Sequence, residues 1–246
     1  SSEFIRNTAT LASGTSIAQI ISIGTAPIVY RIYDKEDYGT LALFMAITGV
    51  LGVFSTLQYS QAILLEKTDD EARKAIWLNR IINLLFSFLC ALTVLTLNSR
   101  ISQVFNSELL GKWLFLVPIS IFFSGQNEIF RVLANRMKEY KILAFNTMLI
   151  AILVPAVSIS VGLLYSGPLG LFVGLMCSQI VPPLIMLFRL RHKYPITATG
   201  VTKQDLISLA KKYSDYPKFT LASEFINRFT NQLPVFLLSR FLGPAT

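Results

Sequence analysis

Charged side chains inside apolar stretches are the residues of this sequence that could do chemistry. Residues 219–242 are mostly apolar, yet they contain Glu224 and Arg228 one helical turn apart, and Arg240 near their end. A charge in the middle of a bilayer costs at least ~2.5–3.5 kcal/mol, so it should face a protein interior or a water-filled cavity. At 1.5 Å per residue, Arg228 would lie roughly 14 Å into such a helix, where Glu224 at i−4 could pair with it. We predict that Arg228 lines a cavity; a structural ion pair inside a helix bundle is the alternative.

Residues typical of catalysis or metal binding do not form a recognisable pattern. The only histidine, His192, is flanked by Arg191 and Lys193 and is predicted to lie at the surface. Cys90 and Cys177 lie in apolar runs and are predicted to be small packing residues. The sequence has no Walker-type glycine-rich loop and no spaced Cys/His cluster. We therefore expect a protein that is not an enzyme and that has no catalytic residue, metal or cofactor.

The elements that must position these charges are membrane-spanning helices. With 53% apolar residues, 15% charged residues and a mean hydropathy of +0.56, the chain has too little charge to solvate an ordinary globular surface. Long runs lack charge, and a helix needs ~20 residues to cross the hydrocarbon. One such run is divided at residues 166–168, where Ser-Gly-Pro predicts a turn between two spans. The predicted spans are 8–32, 39–59, 76–97, 113–131, 142–165 and 169–188, with a seventh at 219–242.

Lysines and arginines alternate between the loops of this arrangement. Fifteen of the 22 fall on one side and only four, Arg31, Lys35, Arg100 and Lys112, fall on the other. Cytoplasmic loops retain positive charge, which predicts a multi-pass protein of the cell membrane with a cytoplasmic N-terminus. The net charge of +8 and pI near 9.6 then reflect topology in the lipid bilayer, and we expect no nucleic-acid partner. The fifteen are Arg6, Lys67, Arg73, Lys74, Arg131, Arg136, Lys138, Lys141, Arg189, Arg191, Lys193, Lys203, Lys211, Lys212 and Lys218.

The longest polar stretch, 192–217, is predicted to be a cytoplasmic amphipathic linker between residues 1–191 and 218–246. Thr202 and Asp205 have the spacing of a capping box. Beyond them, apolar residues recur at helical spacing opposite lysines, which predicts a helix lying on the membrane surface; a solvated linker helix is the alternative. The apolar residues are Leu206, Leu209, Ala210 and Tyr213.

A short repeat relates the first and seventh predicted spans. Thr-Leu-Ala-Ser at residues 10–13 recurs at 220–223, and each copy is followed by a proline and then an arginine. Six spans separate the copies, so the two should have the same orientation, as in transporters built from parallel lobes. The predicted fold is thus all-α: a six-helix N-terminal lobe plus the first helix of a second parallel lobe, a fragment of a transporter with 12–14 helices.

Several segments together resemble the bacterial and archaeal polysaccharide flippases. These are also called polysaccharide biosynthesis proteins or O-antigen transporters, and they belong to the multidrug/oligosaccharidyl-lipid/polysaccharide exporter superfamily. The segments are Thr-Ala-Thr-Leu-Ala-Ser at 8–13 leading into Pro27 and Arg31, Tyr38-Gly39, Arg-Met-Lys-Glu-Tyr-Lys at 136–141, and Leu-Pro-Val-Phe-Leu-Leu-Ser-Arg-Phe-Leu-Gly-Pro-Ala-Thr at 233–246. The resemblance covers essentially the whole chain.

The resemblance implies a transporter that flips a polyprenyl-diphosphate-linked oligosaccharide from the cytoplasmic to the outer leaflet by alternating access. Its product would serve O-antigen, capsule or exopolysaccharide synthesis, with other polysaccharide-assembly proteins as partners. Arginine suits a diphosphate because its planar guanidinium donates in pairs and stays charged. We expect Arg228 with Arg31 or Arg80 to line a cationic cavity, although interfacial anchoring is the default interpretation of Arg31 and Arg240 and Arg80 is ambiguous. The expected sugar contacts are Gln19, Asn83, Asn127 and Asn231, and the polar run 126–131 is either a further sugar contact or an ordinary helix end.

Two other functions are alternatives. A cation-coupled multidrug exporter of the same superfamily would favour an acidic cavity, and arginines within the spans argue against it. A membrane-embedded glycosyltransferase or polymerase should show paired catalytic carboxylates or a large extramembrane loop. The acidic cluster at 69–71 lies among Lys67, Arg73 and Lys74 and is better explained as a solvated surface.

Overall fold

The computed structural model describes residues 2–105, 107–194, 196 and 200–243, and within them the regular secondary structure is helical. This confirms the predicted all-α, polytopic class. The α-helices are α1 (Ser2–Ile32), α2 (Lys35–Gly52), α3 (Ser60–Leu65), α4 (Asp69–Val104), α5 (Glu108–Trp113), α6 (Val117–Arg136), α7 (Tyr140–Gly162), α8 (Leu169–Arg191), α9 (Lys203–Lys212) and α10 (Leu221–Leu242). A 3-10 turn, Leu114–Leu116, precedes α6, and a π-helical turn, Tyr216–Thr220, precedes α10.

Five stretches of helix are long and apolar enough to cross a membrane among the described residues. They are Ala9–Ile32, Asp69–Val104, Glu108–Arg136, Tyr140–Gly162 and Leu169–Arg191. The predicted hairpin of two spans is confirmed by α7 and α8, which are joined through Gly167 at φ +83°. Helices α2 and α10 each carry three charged residues and are not among the five, so their crossing of the membrane stays a prediction.

The second predicted span, 39–59, is wrong as a continuous helix. Helix α2 ends at Gly52, residues 53–59 form turns, and the chain becomes helical again only in the six-residue α3. Leu57 and Gln58 have φ values of 48° and 63°, a region that side chains with a Cβ rarely adopt. The prediction failed because the run carries no charge, and its hydroxyl and amide side chains were counted as compatible with a helix.

Helix α4 begins where its sequence favours a helix start. The Thr68 side chain accepts a hydrogen bond from the Glu71 amide at 3.3 Å, and Asp69, Asp70 and Glu71 occupy the first turn, where the helix dipole stabilises negative charge. The acidic cluster is therefore a helix start. Asp70 pairs with Arg73 and Lys74 of the same helix.

Two apolar clusters hold the bundle together. One contains Ile63, Phe130 and Leu209 and lies at the end of the bundle that carries α9, here called the linker end. The other lies towards the opposite end, where the Phe172 ring stacks on Trp113 at 4.1 Å between centroids and meets Phe44 edge-on. Helix α1 packs along α7, α4 on α6, α6 on α8, and α10 on α2.

Large apolar side chains also cover the outside of the bundle. On α4, Leu85 and Leu95 are 63% and 69% exposed, and Leu164 beyond α7 is 77% exposed. Apolar surface this extensive requires a non-aqueous surrounding. The chain is accordingly a polytopic membrane protein.

The linker helix α9 begins with the predicted capping box. Thr202 Oγ1 accepts a hydrogen bond from the Asp205 amide, and the Asp205 carboxylate accepts one from the Thr202 amide. The predicted position on the membrane surface is wrong for its apolar face, because Leu206, Leu209 and Ala210 pack in the cluster at the linker end. The face binds the protein because the bundle offers apolar partners there.

Candidate functional site

A polar cavity of about 410 Å³ lies where the second predicted span is interrupted. The interruption, residues 53–59, is here called the broken segment. Helix α6 contributes Ser124 and Glu128 to the wall, and α10 contributes Glu224 and Arg228. The remaining lining residues belong to α2, the broken segment and α3: Thr48, Gly49, Gly52, Val53, Ser55, Thr56, Gln58, Ser60 and Gln61.

The broken segment gives the cavity its polarity. Its turns are closed by backbone hydrogen bonds of 3.0–3.1 Å, from Phe54 to the Leu51 carbonyl and from Ser55 to the Gly52 carbonyl. Irregular backbone at membrane depth is tolerated where it is buried in protein or lines a water-filled cavity. The hydroxyl and amide groups that line the cavity are suited to bind a ligand rich in hydroxyl groups.

Helix α10 reaches the cavity through an aromatic contact with the broken segment. The Phe54 and Phe225 rings lie 5.4 Å apart between centroids, and this contact brings the adjacent Glu224 to the cavity wall. Arg228 follows one turn later. Its Nε lies 4.0 Å from Glu224 Oε2, with both side chains partly exposed, at 59% and 42%. The pair predicted from the sequence therefore faces the cavity. Its N–O distance is at the upper limit for an ion pair.

Each carboxylate of the cavity has an arginine partner. Glu128 Oε2 lies 3.7 Å from Arg131 Nη1, one turn along α6, and Glu224 is paired with Arg228. Partly exposed pairs of this length contribute little to stability, ~0–1 kcal/mol. Their groups remain free to exchange partners with a ligand.

A buried polar network supports the cavity from behind. Arg80 Nε donates to Gln126 Oε1 at 3.2 Å, Gln126 Nε2 donates to Asn83 Oδ1 at 2.9 Å, and Asn83 Nδ2 donates to the Ile121 carbonyl at 3.3 Å. The Arg80 guanidinium also lies 5.3 Å from the Trp77 ring centroid. Neither Arg80 nor Asn83 lines the cavity. Both instead make hydrogen bonds within the helix bundle.

The two candidates on α1 are separate from this cavity. Gln19 lines a larger, mostly apolar cavity of about 610 Å³ between α1, α2, α7 and α8. Arg31 is exposed in the last turn of α1. The structure therefore does not bring Arg31 or Arg80 together with Arg228 in a cationic cavity.

The remaining candidates contact neighbours outside the polar cavity. Asn127 Oδ1 accepts a hydrogen bond from Asn146 at 3.2 Å, and Asn231 donates to Asn227 one turn earlier at 3.2 Å. Arg240 donates to the Val104 carbonyl at the end of α4.

Sequence reasoning missed the polar residues of the broken segment and its neighbours. The run Ser-Thr-Leu-Gln-Tyr-Ser-Gln at 55–61 places five hydroxyl or amide residues, besides Tyr59, within seven positions. Such density is unusual for a lipid-facing helix and would have been a usable signal. Apart from Tyr59 the run has no ionisable side chain, so charge alone does not mark it.

Among the described residues, no group of three or more His, Cys, Asp or Glu side chains lies close enough to hold a metal ion. The side chains that line the polar cavity offer hydrogen bonds and ion pairs.

A protein-family model matches most of this chain. The family model described as polysaccharide biosynthesis protein matches residues 28–246, which run from the last turns of α1 to the end of the chain and include residues 244–246 outside the described part. Neither the curated proteins nor the solved structures gave a match. The family match covers most of the chain and agrees with the resemblance seen in the sequence. This helical membrane protein therefore belongs to the polysaccharide biosynthesis protein family.

Proposed function

We propose that the chain is part of a flippase that moves a polyprenyl-diphosphate-linked oligosaccharide across the membrane by alternating access. The observation that carries this proposal is the polar cavity at the broken segment, because a water-accessible pocket within an apolar bundle can hold a headgroup that lipid cannot solvate. Its volume, about 410 Å³, lies within the ~300–1,000 Å³ of small-molecule sites. It would accommodate part of such a headgroup.

The roles follow from the lining residues. Arg228 would donate paired hydrogen bonds to a phosphate, while Gln58, Gln61 and Glu128 would bind sugar hydroxyls. Glu224 would hold the Arg228 guanidinium until the phosphate replaces it. The linker end would be cytoplasmic, since it carries most of the lysines and arginines. Residues 1–191 would form one lobe, 192–217 the linker, and 218–246 the start of the second lobe.

A cation-coupled drug exporter is the second candidate, because two carboxylates line the cavity against one guanidinium. Their pairing with Arg131 and Arg228 reduces the attraction for a cationic drug. The two functions differ in what Arg228 does. It would bind the substrate of a flippase and would repel that of a cation exporter.

The test compares headgroup translocation by variants of the full-length protein in proteoliposomes that contain a polyprenyl-diphosphate oligosaccharide. Losing a hydrogen bond to a charged group costs ~1.5–3 kcal/mol, so Arg228→Ala should slow translocation by roughly 10–150-fold. Gln58→Ala and Gln61→Ala each remove a neutral hydrogen bond of ~0.5–1.5 kcal/mol and should slow it by roughly 2–13-fold.

The matched control is Arg100→Gln, which removes an exposed arginine at the other end of the bundle. It should translocate at the unaltered rate. Normal translocation by a correctly inserted Arg228→Ala variant would contradict the proposed cavity. If Arg228→Ala instead speeds the efflux of a cationic dye and the oligosaccharide is never moved, the exporter is the correct function.

A further inference from the structure

Helix α9 is too short to be stable by itself. It has ten residues, and isolated helices shorter than ~12–15 residues are marginal in water. Its capping box fixes where it begins, but its persistence depends on contacts with the bundle. Those contacts determine what α9 does.

Three side-chain contacts tie α9 to residues 59–74. The Tyr59 hydroxyl donates to the Ala210 carbonyl at 3.1 Å, at the end of α9 where helix carbonyls need outside partners. Lys74 donates to Asp205 at 3.0 Å, and Lys212 donates to both carboxylate oxygens of Glu66 at 2.8 and 2.9 Å. These partners belong to the end of the broken segment and to the elements that immediately follow it.

Glu66 is the most constrained of these partners. It follows α3 directly, and its side chain is only 3% exposed. A carboxylate so deeply buried is costly without a cationic partner. The hydrogen bond from Lys212 to Glu66 raises the pKa of Lys212, whose ordinary value already lies far above neutral pH.

The other side of α3 is held from within the bundle. Arg136 of α6 donates to the carbonyls of Ile63 and Glu66 and pairs with Asp69 at 3.1 Å. The Arg136 side chain is 14% exposed, whereas that of Lys212 is 54% exposed. Water can therefore replace the Lys212 contact far more easily than the Arg136 contact, which makes the α9 side the one that can detach.

The chain continues from α9 through the π-helical turn into α10, whose Glu224 and Arg228 line the cavity. The same short linker thus contacts the end of the broken segment at Tyr59 and leads into the facing wall. A movement of α10 that pulls on α9 would act on both walls together.

We propose that α9 is a latch, closed by the Glu66–Lys212 ion pair, that holds the broken segment in its present shape. Release of the latch frees residues 53–66 to rearrange when α10 moves. The consequence for transport rests on the proposed function, but the latch itself is a property of the fold and can be measured without substrate.

The experiment is hydrogen–deuterium exchange of the full-length protein in detergent micelles or nanodiscs. Lys212→Met removes the pair from its exposed side, and Glu66→Gln removes it from its buried side. Local opening sets the exchange rate, so each variant should speed exchange in residues 203–213 by on the order of tenfold or more. A latch also requires faster exchange in residues 53–66 in the same variants, while Lys212→Arg should keep the protection of both regions.

The matched control is Glu139→Gln, which breaks the Lys193–Glu139 pair at the same end of the bundle without touching α9 or the broken segment. It should leave both regions unchanged. If exchange becomes faster in α9 alone, α9 packs on the bundle but does not hold the broken segment. If exchange is unchanged in Lys212→Met, the ion pair does not hold α9. Either result overturns the latch. If the exchange results are as expected but the protein does not translocate the oligosaccharide, only the proposed function is contradicted.

Discussion

Replacing Gly125 with alanine tests whether the buried network behind the cavity is as tightly packed as the structure indicates. A Cβ atom at Gly125 would lie 2.1 Å from Asn83 Nδ2, 2.8 Å from Asn83 Cγ and 3.2 Å from Ser55 Cβ. Asn83 is fully buried and bonded to Gln126 and to the Ile121 carbonyl, so its side chain has no free space to enter. We expect Gly125→Ala to break at least one of these hydrogen bonds.

The magnitude follows from two opposing effects. Overpacking a dense core costs ~1–3 kcal/mol, and leaving a buried polar group unsatisfied costs ~1–3 kcal/mol. Alanine is more favourable than glycine within a helix by ~0.5–1 kcal/mol, which offsets part of this loss. The net expectation is a loss of about 1–5.5 kcal/mol in the free energy of unfolding. For a chain of this size, that corresponds to a thermal midpoint lower by roughly 2–22 °C.

Thermal unfolding in detergent can be followed through the buried thiol of Cys90, in a background where Cys177 is replaced by alanine. The matched control is Gly24→Ala, because a Cβ at Gly24 would meet no atom within 4 Å. It should leave the midpoint unchanged or slightly raised. The double variant Gly125→Ala with Asn83→Ala should be more stable than the sum of the two single effects predicts. The difference in the free energy of unfolding should be at least about 1 kcal/mol. Equal midpoints for Gly125→Ala and Gly24→Ala would refute the close packing around Asn83.

Two further predictions concern the packing of α1 and the attachment of α9. Gly14→Val should lower the thermal midpoint, because even a Cβ at Gly14 would lie 2.7 Å from Ala144 Cβ where α1 and α7 touch; a midpoint equal to that of the parent protein would contradict this contact. Hydrogen bonds from the Thr202 hydroxyl and from Lys74 lower the pKa of Asp205 to about 2. Its stabilising effect is therefore complete above the ordinary pKa near 3.8 and is lost as the pH falls towards 2. Thermal midpoints measured from pH 5 to pH 2 should fall less steeply in Asp205→Asn than in the parent protein, and identical slopes would contradict the assignment.

The sequence was sufficient to predict the spans that behave as uniform apolar helices. The turn at Gly167, the helices around it and the capping box at Thr202 depend on local signals: uncharged length, a residue that tolerates positive φ, and a side chain that accepts a backbone hydrogen bond. Neighbouring elements do not change these signals. The position of α9 was not predictable in this way, because an apolar helix face can be covered by lipid or by protein, and the choice depends on partners such as Tyr59 and Glu66 that are distant in sequence.

Only charged residues of the candidate site were predicted from the sequence. Glu224 and Arg228 were identified because an ion within an apolar run has few tolerable positions, and the structure places both on the cavity wall. Arg31 and Arg80 satisfied the same criterion and lie elsewhere. Arg31 is exposed at a helix end, where water can satisfy it, and Arg80 is satisfied by Gln126 and nearby aromatic rings. The broken segment lacks charge altogether, and its helix ends because polar side chains and turns replace the regular backbone pattern over residues 53–59. A neutral polar run in a membrane span therefore also indicates a cavity, since its groups, like a charge, need partners that lipid does not supply.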